Sequence, residues 1–578
     1  MGGLNGPRRS RHGKTGRTGV KKARVVYSAD FETITVEPTR VWLWGLLDIS
    51  DPENNGLEYG IDIESFIERC QEHNSLMQFF NLKFDGHFIV DWLLKNGYKH
   101  VETERNRGLG KGEFSTLISD MNKFYTMTVK WNNGHTTEFR DAAKKFPNMS
   151  VAILAKAFKT EQSKGDIDYH KPRPVGYEPT AEELDYLDRD VRIVATALKQ
   201  AMDTGMTRLT VASDSMAEYK RLTGENNFRR VFPVLSDEMD AEIRRAYRGG
   251  FTYADPRFLG KRTRSGIVLD VNSLYPSVMY NDLIPYGTPE WVPGKVEPTG
   301  SRPLTIFSVT FTAKIKRDHI PCIQIKGSSI FGATEYLREI SEPTTLMVTN
   351  VDWELYNEQY DIEVYAYGGG WRFKAAHDLF KSYIDKWSKI KAESTGGLRE
   401  LAKLHLNSLY GKFASNPNVS GKVPVLEEGK VRFVKGRPET REPVYTAAGV
   451  FITSHARNLT IRAAQASYSV FAYADTDSLH LLTDEIPEGL DIHPTRMGAW
   501  KFEYAFEEAH FVRAKVYLER KADGTFKTAF AGLPQGVASK LTFDDLVEGR
   551  VIEGKLQPRS VVGGVVLENV PFTLNLKA

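Results

Sequence analysis

Two aspartates separated by one residue, Asp475 and Asp477, lie between short apolar runs in the segment YADTDS at 473–478. The runs on either side, 469–472 and 479–482, have the composition of short β-strands. The aspartates are therefore predicted to lie at a tight hairpin turn, where two carboxylates can converge. An isolated pair of this kind is more often a solvated turn than a metal site, so its meaning depends on the motifs that accompany it.

A third aspartate, Asp270, ends another apolar run that is typical of a buried strand. Two-metal phosphoryl transfer requires carboxylates that bridge ions about 3.5–4 Å apart, which activate the attacking hydroxyl and stabilise the leaving oxygen. Asp270 and Asp477 could hold such a pair of ions, with Asp475 nearby. Tyr275, just before a proline, would lie beside the ions, where its ring can close the space that a ribose 2′-hydroxyl would need.

The segment from Leu398 to Phe413 is predicted to be helical and lies between these acids. Its polar residues are spaced four, four and three apart, so they share one helix face: Arg399, Lys403, Asn407 and Tyr410. Cations for a triphosphate and a ring to pack against a base suit an incoming nucleotide, and Gly411 permits close approach of a template. Lys391 adds a further cation. An amphipathic helix with a solvated basic face is an equally good interpretation of this helix alone.

The amino-terminal third carries a second set of acids. Asp30 and Glu32 fall on one face of a predicted strand, and Asp85 follows another apolar stretch. Thr180 and Glu183 form the capping box of a helix that places Tyr186 and Asp190 one turn apart. Four carboxylates and a tyrosine match a second two-metal site, one in which water is the nucleophile and a phosphodiester is hydrolysed. Taken singly, such residues are more often surface acids and structural tyrosines.

The order of the motifs resembles that of family B DNA polymerases with a 3′–5′ exonuclease, above all the protein-primed phage branch, the phage phi twenty-nine type. The motifs are DFET, NLKFD, Y-x-x-x-D, DVNSLYP, K-x-x-x-NSLYG, YADTDS and the K-x-Y at 515–517. The resemblance extends from about residue 24 to the end of the chain. It implies a multidomain α/β and α+β fold, with a ribonuclease-H-like 3′–5′ exonuclease domain followed by a right-hand polymerase of palm, fingers and thumb with two insertions.

The resemblance also implies residue roles in the exonuclease. The metal ligands there would be Asp30, Glu32, Asp85 and Asp190. Hydrolysis would be assisted by Tyr186 and Lys164. The frayed 3′ end would be held by Thr33, Asn81 and Phe84.

In the polymerase site the resemblance assigns the metals to Asp270, Asp477 and the backbone carbonyl of Val271, with support from Asp475. Tyr275 would be the sugar gate, and the triphosphate would contact Lys391, Arg399 and Lys403. The base pair would be lined by Asn407, Tyr410 and Gly411. The primer terminus would be steadied by Lys515 and Tyr517. Template would pass between the two sites along Tyr247, Arg248, Gly249 and Gly250.

The implied cofactor is Mg²⁺, with Mn²⁺ as a substitute and two ions in each active site. The implied partners are primer–template DNA, deoxynucleoside triphosphates (dNTPs) and a terminal priming protein. The chain is expected to be a monomer without membrane contact, in the host cytoplasm if it is encoded by a phage.

Two positions depart from the usual pattern of this branch. Ala142-Ala143 follows Asp141 where Ser-Leu is usual, which leaves one contact to single-stranded DNA or to the priming protein in doubt. Arg399 stands where a lysine is usual, and a guanidinium keeps the charge but changes its geometry.

Motif positions predict the domain organisation. The stretch 282–378, between the first catalytic acid and the fingers, is rich in proline and turn signals and resembles the first insertion of the branch, which contacts the priming protein. Residues 416–445 are predicted to form a hairpin and resemble the second insertion, which in the family helps to encircle DNA and separate its strands. The remaining predicted segments are a basic disordered tail at 1–23, the exonuclease at 24–210, a split palm at 211–281 and 446–533, the fingers at 379–415 and a thumb at 534–578.

Composition supports this organisation. The 578 residues, 41% of them apolar, are sufficient for several cores. Only Cys70 and Cys322 are present, which excludes a disulfide framework and favours a reducing, cytosolic setting. The apolar run at 41–47 is too short to span a bilayer, and the basic start is not followed by the apolar core of a secretory signal.

Charge is distributed unevenly along the chain. The first 24 residues carry eight Lys or Arg and no acid, and because the whole chain has a net charge of +3, the remainder has −5. The body of the protein must therefore bind nucleic acid through local channels and not through a generally basic surface. The tail is as well explained by an inert extension as by an arm that grips DNA.

Two classes of function fit these features. The first is an active protein-primed replicative DNA polymerase with proofreading, and the second is a DNA-binding replication factor of the same fold without catalysis. The presence of every expected acid favours the enzyme. Within the enzyme class, a polymerase that uses only ordinary 3′-hydroxyl primers is the alternative.

Overall fold

The computed structural model describes residues 24–102, 108–160, 167–169, 171–324 and 336–576. The basic tail at 1–23 and Lys164, both considered above, lie outside the described residues. None of the helices within these ranges is long and apolar enough to cross a bilayer.

The amino-terminal part is a mixed sheet covered by helices. Its strands are β1 (Val25–Thr33), β2 (Val41–Asp48), β3 (Glu58–Gly60), β4 (Ser75–Phe79), β5 (Lys99–His100), β6 (Glu113–Ile118), β7 (Phe124–Lys130) and β8 (Thr136–Asp141), in the order β3-β2-β1-β4-β8-β7-β6-β5. Its helices are α1 (Ile63–Gln71), α2 (Leu82–Lys95), α3 (Val151–Ala157) and α4 (Ala181–Asp203), with a 3₁₀ turn at Ala142–Lys144. Strand β1 is central and parallel to β4, so its carboxyl end lies beside the start of α2.

The helix predicted to begin at Thr180 is confirmed. The Thr180 hydroxyl accepts a hydrogen bond from the Glu183 backbone N–H, and the Glu183 carboxylate accepts one from the Thr180 N–H, which completes the capping box. The buried face of α4 packs on β1 and β2 in a core that includes Leu187, Val191 and Leu198. Helix α4 therefore carries Tyr186 and Asp190 toward the strand that carries Asp30 and Glu32.

A helical layer and the first strands of a second sheet follow: α5 (Val211–Thr223), α6 (Glu225–Val231), α7 (Asp237–Arg244), β9 (Thr252–Ala254), β10 (Arg262–Thr263), β11 (Gly266–Val271) and α8 (Leu274–Asn281). The next segment, which includes the predicted first insertion, contains β12 (Ile284–Val292), β13 (Leu304–Ile315), β14 (Ile323–Gln324), β15 (Tyr336–Leu337), β16 (Glu339–Thr349), α9 (Asn350–Gln359) and β17 (Tyr360–Ala376). Four of these strands form a sheet in the order β12-β17-β13-β16.

The predicted fingers are an antiparallel helical pair, α10 (Lys381–Glu393) and α11 (Gly396–Ser408), followed by the short α12 (Tyr410–Phe413). The single helix expected from Leu398 to Phe413 is thus divided at Leu409, although Leu409 keeps helical dihedral angles of −68° and −45°. The predicted hairpin is present within 416–445, with strands β18 (Asn418–Glu427) and β19 (Lys430–Thr440).

The chain then returns to the second sheet. Helix α13 (Thr446–Ala466) precedes β20 (Phe471–Asp475), β21 (Ser478–Leu481), β22 (Trp500–Phe506), β23 (Glu508–Arg513), β24 (Val516–Arg520) and β25 (Phe526–Phe530). Two sheets result, with the orders β22-β11-β21-β20-β9 and β10-β23-β24-β25. The chain ends in α14 (Gln535–Ala538), a 3₁₀ turn at Phe543–Asp545, and the paired strands β26 (Val551–Ile552) with β29 (Phe572–Thr573) and β27 (Leu556–Val561) with β28 (Gly564–Asn569).

Candidate active sites

The turn between β20 and β21 holds Asp475 and Asp477, as the sequence predicts. Thr476, between them, has a φ of +62°, and its backbone N–H donates to the carbonyl of Phe251 across 2.6 Å. The hydroxyl of Thr460 on α13 donates to the Thr476 carbonyl across 2.8 Å. A β-carbon at Gly250 would lie 2.9 Å from the Thr476 side chain, so this close approach requires glycine. The turn is therefore fixed from two sides.

Asp270 lies next to this turn because β11 pairs with β21, with Asp270 opposite Ser478. The Val271 N–H donates to the Asp477 carbonyl across 2.8 Å. The three aspartates are thus brought together by one sheet. Burial, followed by the charge of Asp270, raises the pKa of Asp477 to about 6, which is the effect expected of carboxylates that repel one another.

Two lysines neutralise two of these acids. The Lys515 ammonium lies 2.9 Å from both oxygens of Asp475, and the Lys501 ammonium lies 3.1 Å from Oδ1 of Asp270. Thr252 also donates to Asp475 Oδ1 across 2.9 Å. Crowded carboxylate oxygens are the ligands that Mg²⁺ and Mn²⁺ prefer, so this donor set fits such ions.

The basic face of the predicted fingers points to the same place. Lys391 donates to the Ser273 hydroxyl across 3.2 Å, and Arg399 donates to the Lys391 carbonyl across 2.5 Å. The pKa of Lys391 is lowered first by burial and then by neighbouring cations, among them Arg399 and Lys403. Lys403 also pairs with Glu400 across 2.6 Å, while Asn407 is exposed on the same helix. The cations singled out from the spacing are therefore together in space.

Tyr275 and Tyr410 join the palm to the fingers. Their rings are stacked, with centroids 3.9 Å apart and planes 17° apart. Burial is the main cause that raises the pKa of the Tyr275 hydroxyl, and the neighbouring Tyr410 adds to it. A flat aromatic surface thus lies between the acids and the basic helix, with Gly411 directly after it.

The K-x-Y segment approaches the turn from the second sheet of the palm. Lys515 has a φ of +61°, and its N–H donates to the Tyr473 hydroxyl across 3.0 Å. Tyr517 packs on Tyr473, with ring centroids 4.9 Å apart, and is 8% exposed. The Lys515 side chain is 56% exposed and accessible to a DNA end, whereas Tyr517 is buried against Tyr473.

The amino-terminal acids form a second and separate group. Asp85, at the start of α2, is buried, and its pKa is raised well above the usual range first by burial and then by Asp30, with Glu32 and Asp141 adding to it. The hydroxyls of Tyr186 and Tyr169 lie 3.1 Å apart. Burial is the first cause that raises the pKa of Tyr186, and Glu32 and Asp190 contribute. All four predicted carboxylates and the tyrosine are therefore close enough to interact.

The residues expected to hold a DNA end border this group. Asn81 is exposed and has a φ of +76°, and its N–H donates to Asp141 Oδ1 across 3.0 Å. Thr33 is buried at the end of β1, and Phe84 is partly exposed on α2. No group of three or more His, Cys, Asp or Glu that could hold a metal ion is found in the part of the chain that the structure describes. The role of metal ions in both sites therefore remains a prediction from the chemistry of the oxygens.

Known proteins resemble this chain over nearly its full length. A family model described as DNA polymerase type B, organellar and viral, matches residues 67–491. The chain is 41% identical to the DNA polymerase of Bacillus phage phi29 over 577 residues, which cover 95% of this chain and 99% of that protein. The DNA polymerase of Streptococcus phage Cp-1 is 31% identical over 579 residues, covering 95% and 98%.

The fold agrees as well. The structure of phi29 DNA polymerase complexed with primer–template DNA matches with a TM-score of 0.89 at 40% identity, covering 95% of this chain and 100% of that one. The chain belongs to the type B DNA polymerases. It is therefore a DNA-directed DNA polymerase, and the expected multidomain fold, with an exonuclease domain and a right-hand polymerase with insertions, is confirmed.

Arg248, in the segment 247–250 predicted to carry template between the two sites, is buried and only 5% exposed. Its guanidinium donates to the carbonyls of Arg245, across 2.6 Å, and Gln324, across 3.1 Å. A cation satisfied by buried carbonyls is not offered to phosphates, so within the segment 247–250 Arg248 has a structural role.

Sequence reasoning missed two residues that position this segment. The Arg457 guanidinium donates to the carbonyls of Arg248, across 2.7 Å, and Gly249, across 2.9 Å, and forms a buried ion pair with Asp352 across 2.7 Å. Asp352 lies on α9 and Arg457 on α13, and neither helix carries a motif, so no local signal identifies them. They connect α9, in the predicted first insertion, to the turn that Gly250 approaches.

In the exonuclease part, Asp141 likewise positions another segment of the chain. Its carboxylate accepts the N–H groups of Asn81 and Ala143, each across 3.0 Å, and pairs with Lys144 across 2.6 Å. It thereby fixes the left-handed residue from which α2 begins. The Ala142-Ala143 dipeptide, which departs from the usual Ser-Leu, still provides this backbone contact.

Proposed function

We propose that this polymerase is a protein-primed replicative enzyme that extends a DNA end processively, displaces the downstream strand and removes mispaired ends by 3′–5′ hydrolysis. Its substrates would be primer–template DNA and dNTPs, which are the ligands named for solved structures of phi29 DNA polymerase. The relatives compared above come from phages, and we propose the same setting here, a monomer that replicates a linear genome in the host cytoplasm. The observation that carries the proposal is the presence of two separate acid groups, of which the palm group adjoins a basic helix and a stacked tyrosine.

In the synthetic site, Asp270, Asp477 and the Val271 carbonyl would hold two Mg²⁺ or Mn²⁺ ions, and Asp475 would support them. When bound, the ions would supply activation of the primer 3′-hydroxyl and stabilisation of the departing pyrophosphate. Lys391, Arg399 and Lys403 would orient the triphosphate, since the structure groups their charges. Tyr275 would exclude a ribose 2′-hydroxyl by its ring. Lys515 would hold the primer end once it leaves Asp475.

In the hydrolytic site, Asp30, Glu32, Asp85 and Asp190 would hold the metals. Tyr186, within reach of Tyr169, would orient the attacked phosphodiester, and Lys164 would assist. Asn81, Thr33 and Phe84 would receive an unpaired 3′ end, because they lie along the border of this acid group. The nucleophile would be water, so the product would be a released nucleotide.

The hairpin β18–β19 supports strand displacement by its position. Its Gly421 pairs with Ser119 of the exonuclease part, and its Lys430 pairs with Val562 near the carboxyl terminus. A cleft of about 270 Å³ at this junction is lined in part by Lys83, Lys422 and Arg432. We therefore propose that this hairpin, which pairs with two other parts of the chain and is bordered by cations that can contact phosphates, narrows the template path to one strand.

Extension of a primed single strand with Mg²⁺ and dNTPs tests the synthetic activity, and loss of labelled nucleotide from single-stranded DNA without dNTPs tests hydrolysis. We expect both activities, and a folded protein with neither would be a binding factor. Incubation with the candidate priming protein from the same genome should yield a covalent protein–nucleotide adduct. Extension without such an adduct would favour the enzyme that uses ordinary 3′-hydroxyl primers.

Strand displacement is tested by replacing residues 420–436 with a short Gly-Ser link. The variant should fill a gap on single-stranded template but extend poorly through a downstream duplex, and its products should be shorter under a polymerase trap. The same link placed at the exposed turn 521–525 is the matched control and should leave duplex extension unchanged. Equal progress of both variants through duplex DNA would contradict the role of the hairpin.

A further inference from the structure

Lys501 is a cation that the proposed function does not use. It lies on β22 directly opposite Asp270 of β11, with its ammonium nitrogen 3.1 Å from Asp270 Oδ1. The side chain of Lys501 is 36% exposed and that of Asp270 is 23% exposed. The ion pair therefore lies at the edge of the acid site, where solvent and ligands can reach it, and not in the core.

The same ammonium group acts on a cation of the fingers. The pKa of Lys391 is lowered first by burial and then by the charges of Arg399, Lys403 and Lys501. Lys501 is thus within electrostatic range of Lys391, one of the cations assigned to the triphosphate. One flexible cation consequently pairs with an acid assigned to the metal and is near a cation assigned to the nucleotide.

The three aspartates of the turn are neutralised unequally. Lys501 pairs with Asp270 and Lys515 pairs with Asp475, whereas Asp477 makes no ion pair with any residue that the structure describes. A divalent cation that binds Asp270 must therefore compete with the ammonium of Lys501. Because lysine carries its charge at the end of a flexible four-carbon stem, the ammonium can move to a neighbouring anion when it is displaced.

We propose that Lys501 neutralises Asp270 while no divalent cation is bound, and that it contacts the triphosphate of the incoming nucleotide once Asp270 binds the metal. The inference rests on the proposed function, since it requires a divalent cation and a dNTP at this site. It has a distinctive consequence. Lys501 should oppose metal binding when nucleotide is absent and favour nucleotide binding when metal is present.

The test is Lys501→Met in a full-length background of Asp30→Ala with Asp85→Ala, which removes exonuclease ligands for metal. Mn²⁺ binding without nucleotide is measured by electron paramagnetic resonance of the free ion. Its dissociation constant should fall about two- to fivefold, the size expected from one half-exposed ion pair. With Mn²⁺ and a chain-terminated primer–template, the dissociation constant for the correct dNTP should rise about tenfold, as expected for loss of one charge-assisted contact.

Two further variants serve as controls. Lys501→Arg keeps the charge and should restore most of the dNTP affinity. Lys295→Met removes a different lysine ion pair at the surface, the exposed contact of Lys295 with Glu297, and should change neither dissociation constant. A merely structural role of Lys501 would weaken the binding of both ligands. Unchanged or weaker Mn²⁺ binding, or unchanged dNTP affinity, in Lys501→Met would overturn the inference.

The background protein separates this inference from the proposed function. If the background binds Mn²⁺ and incorporates dNTPs but Lys501→Met changes neither dissociation constant, only the proposed movement of Lys501 from Asp270 to the triphosphate is wrong. If the background itself neither binds Mn²⁺ nor incorporates dNTPs, the two-metal function fails and the inference fails with it.

Discussion

The two acid groups of this polymerase are built from similar residues, but two acids of the palm pair with lysines while one acid of the exonuclease part is deeply buried. In the palm, Asp270 and Asp475 each lie beside a lysine ammonium, at 3.1 and 2.9 Å. In the exonuclease part, Asp85 is buried, and the charges of Asp30 and Glu32 raise its pKa further. A metal ion in the palm therefore competes with two ammonium groups for these carboxylates. In the other site, the raised pKa of Asp85 makes a proton a stronger competitor of a metal ion for its carboxylate.

Apart from substitutions of the acids themselves, the largest effect should come from a lysine on the palm side of this comparison. Lys515→Met removes the cation beside Asp475 and the expected contact to the primer end, so incorporation on a primer–template should fall about ten- to hundredfold. Hydrolysis of single-stranded DNA should be unchanged, because Lys515 does not adjoin the second acid group. Lys515→Arg, measured by the same primer-extension assay, should retain more activity. Equal losses in both activities would mean that the lysine only stabilises the fold.

The next effect concerns discrimination between ribonucleotides and deoxyribonucleotides, which we expect of the palm site and not of the exonuclease site. Tyr275→Val removes the ring beside the acids, so the use of ribonucleotides relative to deoxyribonucleotides should rise about tenfold or more. Tyr275→Phe keeps the ring without its hydroxyl and should keep the discrimination. Competition between the two nucleotides in single-turnover extension measures the ratio. A ratio that stays the same in Tyr275→Val would assign the gate to another residue.

A smaller effect, on protein stability, should show that burying Asp477 close to the other acids is unfavourable. In the metal-free protein the folded pKa of Asp477 is about 6, above the usual value of 3.8, so the folded state binds this proton more tightly than the unfolded state does. Stability should therefore fall as the pH rises from about 4 to 6. Asp477→Asn should be more stable than the parent by about 1–2 kcal/mol above pH 6 and equal to it near pH 4.

Chemical denaturation with a chelator across this pH range provides the measurement. The substitution Asp484→Asn changes an aspartate just beyond β21, outside the acid group, and is the control. A parent and an Asp477→Asn variant that lose stability in parallel with pH would contradict the account of Asp477.

The smallest expected effect is local to the exonuclease part. Thr180→Ala removes the cap of the helix that carries Tyr186 and Asp190, which should cost about 1 kcal/mol of stability. Hydrolysis at elevated temperature should weaken before incorporation does. Ser236→Ala removes the corresponding cap of α7 and should spare hydrolysis. If both variants reduced the two activities in the same proportion, the two regions would not be independently stable.

Much of this organisation could be predicted from the sequence because it rests on local rules. The capping box at Thr180, the hairpin turn at Thr476 and the alternation that puts Asp30 with Glu32 all depend on residues within a few positions of one another. The shared helix face of Arg399 and Lys403 followed from helical spacing, whereas Lys391 lies on the preceding helix. Their meeting with the aspartates required the resemblance of the whole motif order to a known family.

The features that could not be predicted depend on long-range packing. Arg248 is buried, and its guanidinium donates a hydrogen bond to the carbonyl of Gln324, 76 residues away in the chain. Lys501 is opposite Asp270 only because β22 pairs with β11 across 230 residues of chain, and a lone lysine has no motif. Asp141 supports Asn81 across 60 residues in the same way. Charge and residue type do not reveal such partners until the sheets are assembled.

Two acid groups in different parts of one chain are thus expected to perform two separate reactions. The most direct measurement compares Asp477→Asn with the double variant Asp30→Ala and Asp85→Ala, each assayed for dNTP incorporation and for hydrolysis of single-stranded DNA. The account predicts that Asp477→Asn loses incorporation by about a thousandfold or more and keeps hydrolysis, and that the double variant does the reverse. Loss of both activities in either variant, with its circular dichroism and melting temperature near those of the parent, would contradict it.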